Sequence, residues 1–156
     1  MDDVTIARAI HVAAIVHWIG GVVFVTAVVL PAISAMAEPK RRLEMFDAIE
    51  RRFSGQVKVS VPLAGLSGAY MAERLDVWSR FIAPEGWWLM AMAIVWLLFM
   101  VILFVAEPLL HERFHRAAMV DPEGTFRGVQ RAHWALGGAG IAVAAAAVAG
   151  AHGLLG

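Results

Sequence analysis

Four long apolar stretches that contain histidines constrain the fold of this 156-residue chain more than any other feature. Hydrophobic residues make up 60% of the chain and charged residues 17%, and the mean hydropathy is +0.70. This composition is typical of an integral membrane protein rather than a soluble domain. The stretches are Ile6 to Ile33, Val57 to Met71, Trp87 to Ala106 and Ala132 to Leu155.

Three of these stretches reach the roughly 20 residues that span a bilayer. The second does so when it is extended to Ser54 and Ala72. The sequence therefore predicts an all-α fold, a bundle of four transmembrane helices with short cytoplasmic segments between them. Residues 1–156 are expected to form a single integral membrane domain.

Basic residues predict the orientation of this bundle. They concentrate in the first and third connections, at Lys40, Arg41, Arg42, Arg51, Arg52, Lys58, Arg113, Arg116, Arg127 and Arg131. Because cytoplasmic loops carry the excess of Lys and Arg, both termini are expected outside, in a multi-pass protein of a bacterial-type inner (plasma) membrane. The lipid bilayer is the expected partner, together with a second copy of the chain as an alternative. The net charge of zero argues against nucleic acid.

Two segments carry further structural signals. Pro39 starts an amphipathic segment with apolar residues at helical spacing, which predicts either a short helix on the inner surface or an extension of the second helix. Small residues such as Gly137 and Gly140 in the fourth stretch favour close approach of neighbouring helices.

Histidines at membrane depth are the first candidates for function. With the N-terminus outside, His11 is expected about 8 Å below the outer boundary and His17 near the middle of the bilayer. An ionisable ring in hydrocarbon needs a partner or a metal. Because the two histidines are six residues apart, roughly 240° around a helix, they are predicted to face different sides. Trp18 shares the face of His11.

The other histidines divide between the two leaflets. His152 lies near the outer end of the fourth helix, and His133 opens that helix at the inner boundary. Glu107, His111 and His115 form an i, i+4, i+8 stripe at the inner end of the third helix. The sequence therefore predicts an outer and an inner group of donors.

Haem b needs only two axial donors, and its apolar edges fit between the helices of a bundle. Our first hypothesis is a b-type haem protein that transfers electrons between a quinone or small redox partner and one or two haems, with enzyme activity left open. The leading ligands are His11, His17 and His133, and stacked haems would add His111 or His152. Trp18 is expected to pack against the cofactor, and Met92 is a soft donor.

Two alternatives use other metals. The chain has no cysteine, so a metal would be held by His, Met, carboxylate or backbone oxygen. Copper handling would use such donors, and His11, His17, His133, His111 and His115 are the candidate ligands of haem iron, copper or zinc. Residues 111–115 also match H-E-x-x-H, the zinc protease motif with Glu112 as base, although a charged turn at the membrane edge is the simpler interpretation.

The segment His11-Val-Ala-Ala-Ile-Val-His-Trp18-Ile-Gly-Gly21 resembles the first helix of HemJ-type protoporphyrinogen IX oxidases and of copper-resistance protein D membrane domains. The resemblance continues in Glu50-Arg-Arg-Phe53, in Pro62 and in Phe126-Arg127. It implies a four-helix core, haem b and His11 as the first-helix histidine, with a porphyrin as the substrate of the oxidases.

The chain departs from that family at two places. The oxidases carry an essential lysine early in the third helix, where this chain reads Trp87-Trp-Leu-Met90-Ala-Met92-Ala-Ile. Their acidic motif entering the fourth helix is replaced by Gln130-Arg131. Porphyrinogen oxidation is therefore an alternative to haem-based electron transfer rather than the first hypothesis.

Overall fold

The computed structural model describes residues 3–155, which are almost entirely helical. Four long helices follow one another: α1 (Asp3–Ser34), α2 (Pro39–Arg74), α3 (residues 87–120) and α4 (Pro122–Ala151). Two short 3₁₀ turns, Trp78–Phe81 and Pro84–Gly86, connect α2 to α3. The predicted all-α fold of four helices is confirmed.

Three of the four helices are long and apolar enough to cross a membrane: α1, α4 and the segment Pro84–Val120 that contains α3. Only 28%, 17% and 17% of the residues in their apolar windows are buried inside the bundle, as expected for helices that face lipid. Helix α2 is long enough but more polar. It packs antiparallel to α1 along most of its apolar half.

The charged connections are helical rather than looped. The segment that starts at Pro39 continues without a break into the second apolar stretch, and the helix passes through Pro62. Of the two predicted alternatives, the extension of the second helix is therefore the one observed. Similarly, α4 starts at Pro122 instead of Ala132, because Asp121 caps its first turn by accepting a hydrogen bond from the Gly124 amide at 2.9 Å. It ends at Ala151, before the predicted Leu155.

Two π-helical turns interrupt the long helices, each just before a proline. In α1 the turn is Val25–Val29, followed by Pro31, and in α3 it is Ile102–Ala106, followed by Pro108. A proline lacks an amide donor and clashes with the carbonyl four residues earlier, so the wider turn lets each helix continue past it.

Two apolar clusters hold the bundle together. The first joins α1, α2 and α3 in mid-bundle around Trp18, whose ring meets Phe99 edge-on at 4.7 Å. The second lies at the end of the bundle opposite the start of α1, where rings from α2, α3 and α4 pack beside buried residues of α1. Its aromatic members are Phe46, Phe114 and Phe126.

Glycines set the close contacts between helices. A side chain at Gly21 would overlap the ring of Phe53, and one at Gly65 would overlap Trp96. In α4, Gly137 and Gly140 lie against Val22 and Ile19 of α1. The predicted close approach of α4 through its small residues is confirmed.

Candidate functional sites

The outer site is built around His11, which contacts α2. Its Nδ1 lies 2.8 Å from the backbone carbonyl oxygen of Ala64 and 3.2 Å from the hydroxyl of Ser67. A carbonyl can only accept, so Nδ1 carries the proton, and the Ser67 hydroxyl donates to the Leu63 carbonyl at 2.7 Å. The neutral ring therefore keeps a free lone pair on Nε2.

The His11 ring fits against α2 because residue 68 is glycine. A Cβ at Gly68 would lie 3.0 Å from Cε1 of His11, tighter than ordinary van der Waals contact. Gly68 is thus part of the seat that fixes the orientation of the ring.

His17 also contacts α2, one turn and a half deeper than His11. Its Nδ1 lies 3.2 Å from the Ser60 hydroxyl, and its Nε2 lies 3.2 Å from Oε1 of Gln56. A neutral ring satisfies both contacts by donating from Nε2 and accepting at Nδ1. Both nitrogens of His17 are therefore engaged.

The expectation that His11 and His17 face different sides needs correction, because both rings reach the same neighbouring helix. Both imidazole side chains extend to α2, which packs along α1. They contact different levels of α2, and the prediction that they do not share one metal is compatible with this separation.

Trp18 lies where the sequence placed it, deep in the bundle and only 3% exposed. Its indole Nε1 is buried and has no hydrogen-bond partner among residues 3–155. An unpaired buried donor in the interior is unusual. Met92 lies half-buried in the outer half of α3, with no polar contact in the part of the chain that the structure describes.

His133 and His152 each form a hydrogen bond within α4. In each, Nδ1 donates to the carbonyl of the residue four positions earlier, Val129 at 2.9 Å and Val148 at 2.8 Å. His133 is partly buried and His152 is exposed at the end of the helix. Within residues 3–155, neither ring forms a hydrogen bond with another helix.

A second polar centre lies between α2 and α3, at the end of the bundle that the basic residues predict to be cytoplasmic. We call it the inner seam, and it consists of Asp47, Glu50, Ser54 and Lys58 on α2 and Glu107, His111 and His115 on α3. The predicted stripe of Glu107, His111 and His115 thus faces a matching stripe on α2. All but His115 line a cavity of about 440 Å³, together with Arg51 and Gly55.

Cross-helix contacts define the seam. The Lys58 ammonium lies 2.7 Å from Oε1 of Glu107, and the Ser54 hydroxyl lies 2.8 and 2.7 Å from the two oxygens of that carboxylate. At the other end, His115 Nε2 is 3.1 Å from Oδ1 of Asp47, although the angle is not that of a hydrogen bond. The rings of His111 and His115 are 4.4 Å apart.

The H-E-x-x-H segment gains no support as a zinc site. No three histidine or acidic side chains within residues 3–155 are placed to hold a metal ion together. Glu112 is exposed, and His115 is directed at Asp47.

The α2 partners of both sites were not singled out from the sequence. Asp47, Glu50, Ser54 and Lys58 follow one another at steps of three and four residues, a helical stripe that could have been matched to the one on α3. Ser60 and Ser67 are seven residues apart in an apolar stretch, which indicates one polar face. Their pairing with particular histidines depends on helix register.

The fold and these two polar centres define a four-helix bundle with helices of the membrane-spanning type. Comparison of the chain with protein-family models, with curated proteins and with solved structures gave no match.

Proposed function

We propose that this protein is a membrane-embedded redox protein that binds haem b through His11. The redox partner is a quinone or a small redox protein, as the sequence led us to expect. The proposal concerns a single haem in the outer half of the bundle.

The state of the His11 ring supports this proposal most directly. Metal-binding histidines commonly donate one ring N–H to a carbonyl or carboxylate, which fixes the tautomer and leaves the other nitrogen as the ligand. His11 has this arrangement, with Nδ1 bonded to the Ala64 carbonyl oxygen at 2.8 Å. The donor set at His11 therefore fits one axial ligand of a haem.

Trp18 provides a second supporting feature. It lies two helical turns deeper than His11 on the same helix, and its buried Nε1 has no partner among the described residues. A polar group on a bound ligand would satisfy this donor. Gly68, which seats the His11 ring, completes the group of residues assigned to the site.

The other histidines have smaller roles in the proposal. Both nitrogens of His17 are engaged by α2, and Nδ1 of His133 bonds to a carbonyl of its own helix, so that ring is not held by a neighbouring helix as His11 is. The proposal therefore assigns one protein ligand to the haem. When bound, haem supplies a one-electron redox centre, and the chain holds and orients it through His11.

The orientation is part of the proposal. We propose that α2 crosses the bilayer beside α1, since the two helices pack antiparallel from Asp3, which is 2.9 Å from Arg74, to Phe53 against Gly21. Both termini then lie outside the inner membrane of a bacterium, and the basic ends of the helices face the cytoplasm.

Absorption spectroscopy tests the function. The protein, purified in mild detergent, is expected to show a Soret band, an α-band after dithionite reduction and about one haem b per chain by the pyridine haemochrome method. In this proposal the protein provides a single ligand to the haem iron. Carbon monoxide should therefore bind to the reduced haem and shift its Soret band. No Soret band after addition of haemin, with stoichiometric copper or zinc by metal analysis, would contradict the proposal and favour metal handling.

A further inference from the structure

The inner seam contains a carboxylate with no partner. Among residues 3–155, the half-buried Glu50 side chain makes no hydrogen bond or ion pair, although it lines the cavity between α2 and α3. Its acidic neighbours are occupied: Lys58 and Ser54 bind Glu107, and Asp47 lies against His115. The cavity, at about 440 Å³, has room for several water molecules.

The cationic side chains around the cavity do not form an ion pair with Glu50 in the part of the chain that the structure describes. On its own helix Asp47, Arg51 and Lys58 line the same cavity, and on α3 Glu107 and His111 face it. The ammonium of Lys58 is held by Glu107 at 2.7 Å, and the Arg51 side chain is exposed. Three carboxylates, those of Asp47, Glu50 and Glu107, therefore line the same cavity, together with the cationic side chains of Arg51 and Lys58.

The path of α3 brings Glu107 to this place. The π-helical turn Ile102–Ala106 ends immediately before Glu107 and contains one residue more per turn than an α-helix. Each residue rotates the helix by about 100°, so the wider turn changes which residue faces α2. Such turns are frequent at functional sites.

We propose that the inner seam is a proton-binding site, in which Glu50 holds a proton, Glu107 provides the negative charge that retains it, and water in the cavity exchanges it with the adjacent aqueous phase. The proton bonds to a carboxylate oxygen of Glu50 and leaves to water, so the step needs no other reactant. The site is independent of the haem proposed at His11.

The electrostatics of the seam agree with this role. Burial and then the charge of Glu107 raise the pKa of Glu50 above its ordinary value of 4.5, and Asp47 adds to the effect. His111 and Lys58 act in the opposite direction. Like charges that share a site hold a proton more tightly than either group does alone.

Infrared spectroscopy tests the proposal, because the C=O stretch of a protonated carboxyl group is separate from that of a carboxylate. The band is followed against pH in the purified full-length protein and in Glu50→Gln, with Glu44→Gln as the control. Glu44 lies on the same helix but is exposed and outside the cavity. We expect the wild-type protein to keep a protonated carboxyl above the ordinary pH range for Glu, and this component to be lost in Glu50→Gln and kept in Glu44→Gln.

Glu107→Gln provides a second test that does not require Glu50→Gln to fold. Removing the neighbouring negative charge, which raises the pKa of Glu50, should move the midpoint of the band to lower pH. An unchanged or higher midpoint, or a wild-type band that Glu50→Gln leaves intact, would overturn the proposal. Because the signal does not involve haem, failure here is distinguishable from failure of the redox proposal.

Discussion

At the residue scale, the histidines of this protein differ in which partners occupy their ring nitrogens. His11 donates to a carbonyl of another helix, His17 uses both nitrogens, and His133 and His152 donate to the preceding turn of their own helix. A histidine whose Nδ1 is fixed by a neighbouring helix is both oriented and left with one free nitrogen. His11 is the one we assign to haem for that reason.

The pH dependence of stability should report on Glu50. Its pKa is raised in the folded protein, so its ionised form destabilises the fold at high pH. As pH falls through the raised pKa, the native state takes up the proton first and gains stability, and the gain is complete below 4.5. Unfolding in detergent at a series of pH values should show this gain in wild type and Glu44→Gln but not in Glu50→Gln; equal slopes in all three would contradict it.

The burial of Trp18 could be predicted from the sequence, but the bonding of the site residues could not. Counting residues along the first helix predicted that Trp18 lies deep in the bundle, and its side chain is buried. The tautomer of His11 depends on the register of α2 against α1, which brings the Ala64 carbonyl to the ring. In the sequence Glu50 stands out only as part of Glu50-Arg-Arg-Phe53, because its lack of a partner among residues 3–155 is visible only once the contacts of Glu107 and Asp47 are known.

At the element scale, α2 organises the polar contacts of the bundle. Among the described residues, each polar side-chain contact between two of the four long helices has a partner on α2. This role explains why α2 is less apolar than the other three. It also explains why the second stretch was the shortest in the sequence.

Neighbouring glycines in α1 provide a matched test of the α1–α2 packing. A methyl group at Gly21 would overlap the Phe53 ring, whereas one at Gly20 would meet nothing within 4 Å. Gly21→Ala is therefore expected to lower stability by about 1–3 kcal/mol through overpacking, and Gly20→Ala to leave it unchanged or slightly higher. Denaturation in mixed detergent micelles measures the difference; equal stability of the two variants would mean that this contact is absent.

The long helices were predictable in number, but their ends and internal turns were less so. Hydropathy detects residues that prefer lipid, so it could not show that the charged segments after Pro39 and before Ala132 are also helical. Capping by Asp121 and the position of Pro122 were local signals for the early start of α4. Pro31 and Pro108 are local signals for an irregular helix. They do not show that a π-helical turn precedes each proline.

At the scale of the whole molecule, the two polar centres lie at opposite levels of one bundle. His11 contacts the outer half of α2, whereas the inner seam joins the basic end of α2 to α3. The apolar cluster around Trp18 and Phe99 lies in mid-bundle. In the proposed orientation, haem binding belongs to the outer leaflet and proton exchange to the cytoplasmic surface.

Single cysteines test this orientation, because the chain has none of its own. Leu154 and Glu112 are both exposed, one after α4 and the other at the opposite end of the bundle. In intact cells with a permeabilised outer membrane, an impermeant thiol reagent should label Leu154→Cys, and should label Glu112→Cys only after lysis. The reverse pattern would place the basic ends outside.

The haem content of two matched variants tests the central claim most directly. His11→Ala and His17→Ala remove histidines from the same apolar helix, but of these two only His11 has a ring nitrogen without a partner among residues 3–155. The pyridine haemochrome method, applied per folded chain, should give a loss of haem in His11→Ala and wild-type content in His17→Ala. Wild-type haem content in His11→Ala would contradict the assignment of His11 as the ligand.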